Sequence, residues 1–226
     1  MSTIEIIRPE EIEKHSFEII RDRLKAQNIS VPLDYAANSE EELELCRSII
    51  YRCIHTTADF DYAHTLRFSK GSVDIIQKLV RNGADIITDT NMALTGINKK
   101  KLEAFGGSVY CFMADEDVAR EAKERGLTRA SVAVEKAVSL HKSNPAGSLI
   151  FAIGNAPTAL VCLHKLYEEG LFKPDFIIGV PVGFVNVEAS KELIMNTDIP
   201  SIINEGNKGG SPVAAAIVNA VLYNIN

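Results

Sequence analysis

From Gly83 onward the sequence alternates short apolar runs with amphipathic stretches, and that alternation constrains the fold more than any other feature. Five runs, 84–88, 108–112, 148–153, 176–181 and 201–204, have strand length and are each bounded by Gly, Pro, Asn or Asp. Between and after them, the stretches 98–105, 116–125, 129–141, 156–169, 187–195 and 212–223 carry apolar residues at helical spacing. A parallel strand buries both of its sides, so strands joined by helical crossovers need helices on both faces of the sheet. The pattern therefore predicts an α/β fold, a three-layer αβα sandwich around a five-stranded parallel sheet. Right-handed crossovers favour a doubly wound, flavodoxin-like strand order such as 2-1-3-4-5.

Ahead of this core, Pro9 with Glu10, Glu11 and Glu13 marks a helix start, and Ile19, Ile20 and Leu24 supply an apolar stripe behind it. Ser39 and Glu42 form a capping box before Leu43, Cys46, Ile49, Ile50, Cys53 and Ile54, which predicts a second helix over about 40–55. The segment 28–38, with Pro32, is the least regular stretch and is expected to lie across a neighbour. No repeat, low-complexity tract or long linker divides the chain, so one domain over 1–226 is expected.

With 46% hydrophobic residues the chain has enough apolar material for a substantial core, and its net charge of −6 opposes nucleic-acid or anionic-membrane partners. An anionic ligand must then be met by a local positive site. No apolar run approaches the roughly 20 residues that span a bilayer, and the opening Met1-Ser2-Thr3-Ile4-Glu5 lacks signal-peptide character. A cytoplasmic address is expected. Cys46, Cys53, Cys111 and Cys162 are dispersed without a CxxC pair, so no protein-built metal site is expected. Cys46 and Cys53 share a helical face and read as core filler.

In an open parallel sheet the ligand sits beyond the carboxyl ends of the strands, which directs attention to the turns that follow them. The turn 154–158 carries Asn155 and Thr158, with Pro157 suited to a helical first turn; the turn 206–212 carries Gly209, Gly210 and Ser211. Such turns present backbone N–H groups and a positive dipole end to phosphate or carboxylate oxygens. Neither matches GxGxxG or a P-loop, and ordinary βα turns with packing glycines are the competing reading. Arg52 and His55 lie three residues apart on one face at the end of the second helix, where the dipole favours imidazolium. A capping histidine beside a solvated arginine explains the pair equally well. Asp89 stands at the end of the first run, placed either to orient a substrate or to cap its own turn. Arg129 begins a helix, where a cation is disfavoured unless an anion comes to it.

Longer strings add specificity. His15-Ser16-Phe17-Glu18-Ile19-Ile20, Arg52 with Ile54-His55, Thr128-Arg129, Ile153-Gly154-Asn155-Ala156-Pro157-Thr158-Ala159-Leu160, Gly179-Val180-Pro181-Val182-Gly183-Phe184-Val185 and Gly209-Gly210-Ser211 resemble the precorrin-8X methylmutase family over nearly the whole chain. The His55-Thr56-Thr57-Ala58-Asp59-Phe60-Asp61 run is similar to the branch acting on cobalt-precorrin-8. The resemblance implies a flavodoxin-like homodimer that binds a polycarboxylate corrinoid and moves a methyl group from C-11 to C-12, giving cobyrinate or, without cobalt, hydrogenobyrinate. It implies no cofactor, since any cobalt arrives in the substrate. The family's catalytic histidine falls on His55, and its substrate-contacting serine and arginines fall on Ser16, Arg52 and Arg129. A non-catalytic corrinoid carrier and an unrelated nucleotide-using enzyme are the alternatives from other classes.

Overall fold

The computed structural model describes residues 6–32, 35, 37–143 and 147–225. The opening pentapeptide lies outside the described residues, as do Leu33, Asp34 and Ala36 of the irregular 28–38 segment. Within that segment Tyr35 packs against Phe68, their ring centroids 5.6 Å apart.

After a short 3-10 turn at Pro9–Glu11, the elements are α1 (Ile12–Ala26), α2 (Glu40–Thr57), α3 (Tyr62–Thr65), β1 (Leu66–Phe68), α4 (Ser72–Arg81), β2 (Asp85–Thr88), α5 (Asn91–Gly96), α6 (Lys99–Glu103) and β3 (Val109–Tyr110). Then follow α7 (Glu116–Arg125), α8 (Arg129–Ser143), β4 (Leu149–Ile153), α9 (Pro157–Glu168), β5 (Phe176–Gly179), α10 (Val187–Met195), β6 (Ser201–Asn204) and α11 (Ser211–Tyr223). All five expected strands form, and β2 to β6 pair in parallel. The sheet, however, has six strands in the order β1-β6-β5-β4-β2-β3, which corrects the five-stranded expectation. The addition is β1, antiparallel to β6 through Leu66↔Asn204 and Phe68↔Ile202. Three residues are too few for an alternation to register in sequence.

Strand periodicity of two sorts the β4 side chains onto two faces. Ile150 and Ala152 join one core with Ile49, Ile50, Val73 and Ile217, from α2, α4 and α11. Leu149, Phe151 and Ile153 join the other with Val134, Leu160 and Ile194, from α8, α9 and α10. Helices thus cover both faces, as a buried parallel sheet requires. The α11 sequence is apolar almost all round, and it lies against α2, α5 and β4 as a central helix. Its run Ala214-Ala215-Ala216 keeps that surface thin.

The α2 helix matters most for the site. The Ser39 hydroxyl accepts from the Glu42 N–H at 3.1 Å, Glu40 to Glu42 occupy the first turn, and Leu45, Cys46, Ile49, Ile50, Cys53 and Ile54 face inward. Burial pushes the Cys53 thiol up to about 12, as expected of core filler. The helix ends where Ala58 turns left-handed and its N–H reaches the Ile54 carbonyl at 2.7 Å.

Candidate active site

Beyond the carboxyl ends of β2, β4, β5 and β6, four connections converge. Asp89, after β2, is 4% exposed, and its carboxylate accepts the N–H groups of Gly154 (2.9 Å), Asn155 (2.7 Å) and Ala156 (2.6 Å), which follow β4. Thr90 and Ser211 exchange a hydroxyl hydrogen bond at 2.7 Å. The Gly210 N–H reaches the Val180 carbonyl after β5 at 2.8 Å. Two glycines make this convergence sterically feasible. A Cβ on Gly154 would stand 2.7 Å from the Ser211 Cα, and one on Gly209 only 2.1 Å from the Val180 oxygen. The two glycine turns singled out in the sequence therefore open on the same edge of the sheet.

One expectation about these turns is corrected. The N–H groups of 154–156 do not stand free for an external anion, because the carboxylate of Asp89 already fills that nest. Burial pushes the Asp89 carboxyl above the ordinary carboxylate value, and the three N–H donors pull against it. Of the two roles the sequence left open for Asp89, its oxygens perform a capping role, across chain segments rather than within its own turn. The Asn155 side chain remains exposed.

Thr158 belongs to a second group, at the start of α8. The Thr128 hydroxyl donates to the Thr158 hydroxyl at 2.8 Å and accepts the Ser131 N–H at 3.2 Å, capping α8. Arg129, next to this cap, is exposed and makes no ion pair among the described residues.

The third group lies where α1 meets α2. His55 is exposed on the last full turn of α2, and its ring meets Phe17 edge-on with centroids 5.5 Å apart. Ser16 is half-buried beside Phe17 on α1. Arg52 is ion-paired to Glu13, and its guanidinium lies 5.2 Å from the Phe17 ring centroid and 4.9 Å from that of Tyr223. Its Nε is buried without a hydrogen-bond partner. Arg52 and His55 thus share one rim with Phe17, while no hydrogen bond among the described residues joins Ser16 to either, and no hydrogen bond or ring contact joins His55 to the Asp89 nest.

Two lysines were not anticipated. Lys191 is fully buried, and its ammonium donates to the carbonyls of Gly206 (2.6 Å) and Lys208 (2.9 Å). Burial brings its pKa down to about 8. The signal was present in the sequence, since Val187, Lys191 and Ile194 occupy one helical stripe. Lys208 itself pairs with Asp59 at 2.5 Å and Asp61 at 2.6 Å, just beyond α2. Four hollows of about 260, 450, 390 and 410 Å³ occur elsewhere, and none of these four is lined by His55, Asp89, Asn155 or Gly209. Among the described residues there is no group of three or more potential metal ligands and no helix long and apolar enough to cross a membrane.

Comparison with known proteins gives this geometry a context. The chain is 41% identical over 222 residues to the cobalt-precorrin-8 methylmutase of Salmonella typhimurium, covering 97% of each chain. It is 38% identical over 172 residues to the precorrin-8X methylmutase of Pseudomonas aeruginosa, covering 75% of this chain and 80% of that one. A crystal structure of precorrin-8X methylmutase from Thermus thermophilus superposes with a TM-score of 0.75 at 32% identity, covering 94% of this chain and 96% of that one. The family model described as precorrin-8X methylmutase matches residues 11–224, and the chain belongs to that family.

Proposed function

We propose that this protein is the isomerase of cobalamin biosynthesis that converts cobalt-precorrin-8 to cobyrinate by a 1,5-shift of one methyl group from C-11 to C-12. The observation that carries this reading is the full-length likeness to a cobalt-precorrin-8 methylmutase in a chain whose His55 imidazole is exposed at the end of α2. One carbon–carbon bond breaks at C-11 as another forms at C-12, so the reaction needs neither hydride nor external nucleophile. What the protein must supply is a fixed substrate conformation and polarisation of the conjugated ring. His55, with its proton, is the group for polarisation, acting as a hydrogen-bond donor or general acid toward the ring system.

The acetate and propionate arms of such a substrate call for local donors on a chain of net charge −6. Arg129, Arg52 and Ser16 are the proposed anchors, with Asn155, Thr158 and the 209–211 turn lining the approach. Asp89 serves by holding the 154–156 turn in place. The flavodoxin-like reading of the sheet belongs to the same proposal, supported by the 2-1-3-4-5 order of its five parallel strands counted among themselves. So does a homodimer, supported by exposed Ile12, Ile19 and Tyr223 around the α1 rim. A cytoplasmic address is consistent with the burial of Cys46 and Cys53 as thiols.

The test is an anaerobic incubation with cobalt-precorrin-8 followed by absorbance and mass spectrometry. An isomerisation changes the spectrum and leaves the mass unaltered. Stoichiometric binding with no spectral conversion would identify a carrier instead.

A further inference from the structure

Lys208 is held more completely than a surface lysine needs to be. Its carbonyl accepts from the buried Lys191 ammonium at 2.9 Å and from the Asn204 amide at 2.9 Å. Asn204 is in turn fixed by the Thr65 hydroxyl at 2.7 Å. The Lys208 side chain, 47% exposed, reaches across to two carboxylates, those of Asp59 and Asp61, at 2.5 and 2.6 Å. These carboxylates hold the Lys208 ammonium above its ordinary value. They stand on a tight connection: the Asp61 N–H donates to Asp59 Oδ1 at 3.0 Å, the Asp59 N–H to the Thr57 hydroxyl at 3.2 Å, and that hydroxyl to the Cys53 carbonyl at 2.8 Å. His55 lies two residues before Thr57, inside the segment so restrained.

Exposed ion pairs contribute little to stability, so two of them on one lysine do not explain why its backbone is also anchored by a buried cation. The arrangement has one mechanical consequence. It ties the connection after α2 to the 206–210 turn, and so sets where the backbone of His55 stands relative to the sheet edge that carries the glycine turns. We propose that Lys208 is a positioning residue for the methyl shift, clamping the Asp59–Asp61 connection so that His55 is held in register with substrate bound along that edge. The inference rests on the reading of His55 given above. Misplacing a catalytic group by a fraction of its reach is enough to slow a reaction without loosening the substrate, because anchoring is spread over many contacts.

The experiment is steady-state turnover of cobalt-precorrin-8 and binding of cobyrinate by Lys208→Met, by Asp59→Asn/Asp61→Asn, by the two combined, and by Lys208→Arg, with thermal melts alongside. The expected result is a kcat lowered by about ten- to a hundredfold in Lys208→Met and to a similar extent in the aspartate pair. The combination should lose no more than either alone, KM and product affinity should move by less than about threefold, and Lys208→Arg should recover most of the rate. In a His55→Ala background the Lys208→Met effect on turnover should vanish. If Lys208 instead grips a substrate carboxylate, Lys208→Met raises KM, and freeing it from Asp59 and Asp61 leaves affinity equal or tighter; that outcome overturns the clamp. Normal kcat in both the lysine and the aspartate variants also overturns it. An active His55→Ala protein would sink the reading of His55 separately, whatever the lysine variants do.

Discussion

Asp89 and Glu13 are both carboxylates near the proposed chemistry, and the fold treats them in opposite ways. Asp89 is buried and takes three backbone N–H groups from a turn 65 to 67 residues away in the chain. Glu13, its side chain 56% exposed, takes a guanidinium from Arg52 across the α1–α2 rim. The first carboxylate is solvated by dipoles that cannot turn away, so displacing it would strand three buried donors. The second sits in water on a flexible stem, and a competing carboxylate could replace it at small cost. The strand edge is therefore a frame that fixes distances, while the rim and the α8 start keep charges that can change partners. Substrate charge is expected at the latter, and geometry at the former.

The sharpest way to break this division is to separate rate from binding at the rim. His55→Ala should lower kcat by about 100- to 10,000-fold, the usual contribution of a positioned general acid. Product affinity should fall by less than about threefold, since anchoring lies elsewhere. Near-normal turnover would mean that conformational trapping alone drives the shift. A loss of rate only in proportion to affinity would make His55 an anchor.

At the frame the expected loss is of stability. Asp89→Ala strands the Gly154, Asn155 and Ala156 donors and should cost about 3–4 kcal/mol, read as a lower urea midpoint at unchanged slope. Asp89→Asn, which keeps one acceptor oxygen, should cost less. A stable Asp89→Ala protein with weakened corrinoid binding would move Asp89 from the frame to the ligand.

The two regions also differed in how far the sequence revealed them. The parallel strands could be read because each is an apolar run closed by a turn former, and Gly154 and Gly209 stood out because each lies in a glycine turn that follows such a strand, where the structure shows close backbone approach. The partner of Asp89 could not be read, because a hydrogen bond between segments more than sixty residues apart leaves no local pattern. The same holds for Lys208 with Asp59 and Asp61, which lie 147 to 149 residues away. For α4 the signal existed: Val73, Ile76 and Val80 recur at helical spacing after Gly71. Lys191 is not legible as a core residue because lysine is rarely fully buried, although its stripe is the buried one.

Arg129 offers a smaller effect. It stands at a helix start without an ion pair among the described residues, so a substrate carboxylate would meet a charge that is not already compensated. Arg129→Ala should weaken corrinoid affinity by about 1–3 kcal/mol, the range for hydrogen bonds to charged groups, with kcat at saturation much less affected. Unchanged affinity would remove it from the site.

Arg52 should matter less than Arg129 to binding, and the reason is Glu13. Before Arg52 can take a substrate carboxylate it must release the one it holds, so binding exchanges one exposed ion pair for another and gains about 1 kcal/mol or less. Removing the competitor tests this directly. In Glu13→Gln the guanidinium keeps its place between the Phe17 and Tyr223 rings, because those contacts do not depend on the glutamate charge. Its Nε is buried without a partner. Glu13→Gln should therefore bind cobyrinate about two- to fivefold more tightly at low salt, with the gain shrinking as ionic strength rises. Arg52→Ala should abolish that gain when combined with it. If Glu13→Gln leaves affinity unchanged while Arg52→Ala mainly lowers the melting temperature, Arg52 is a bridge joining α1, α2 and α11 rather than an anchor for substrate.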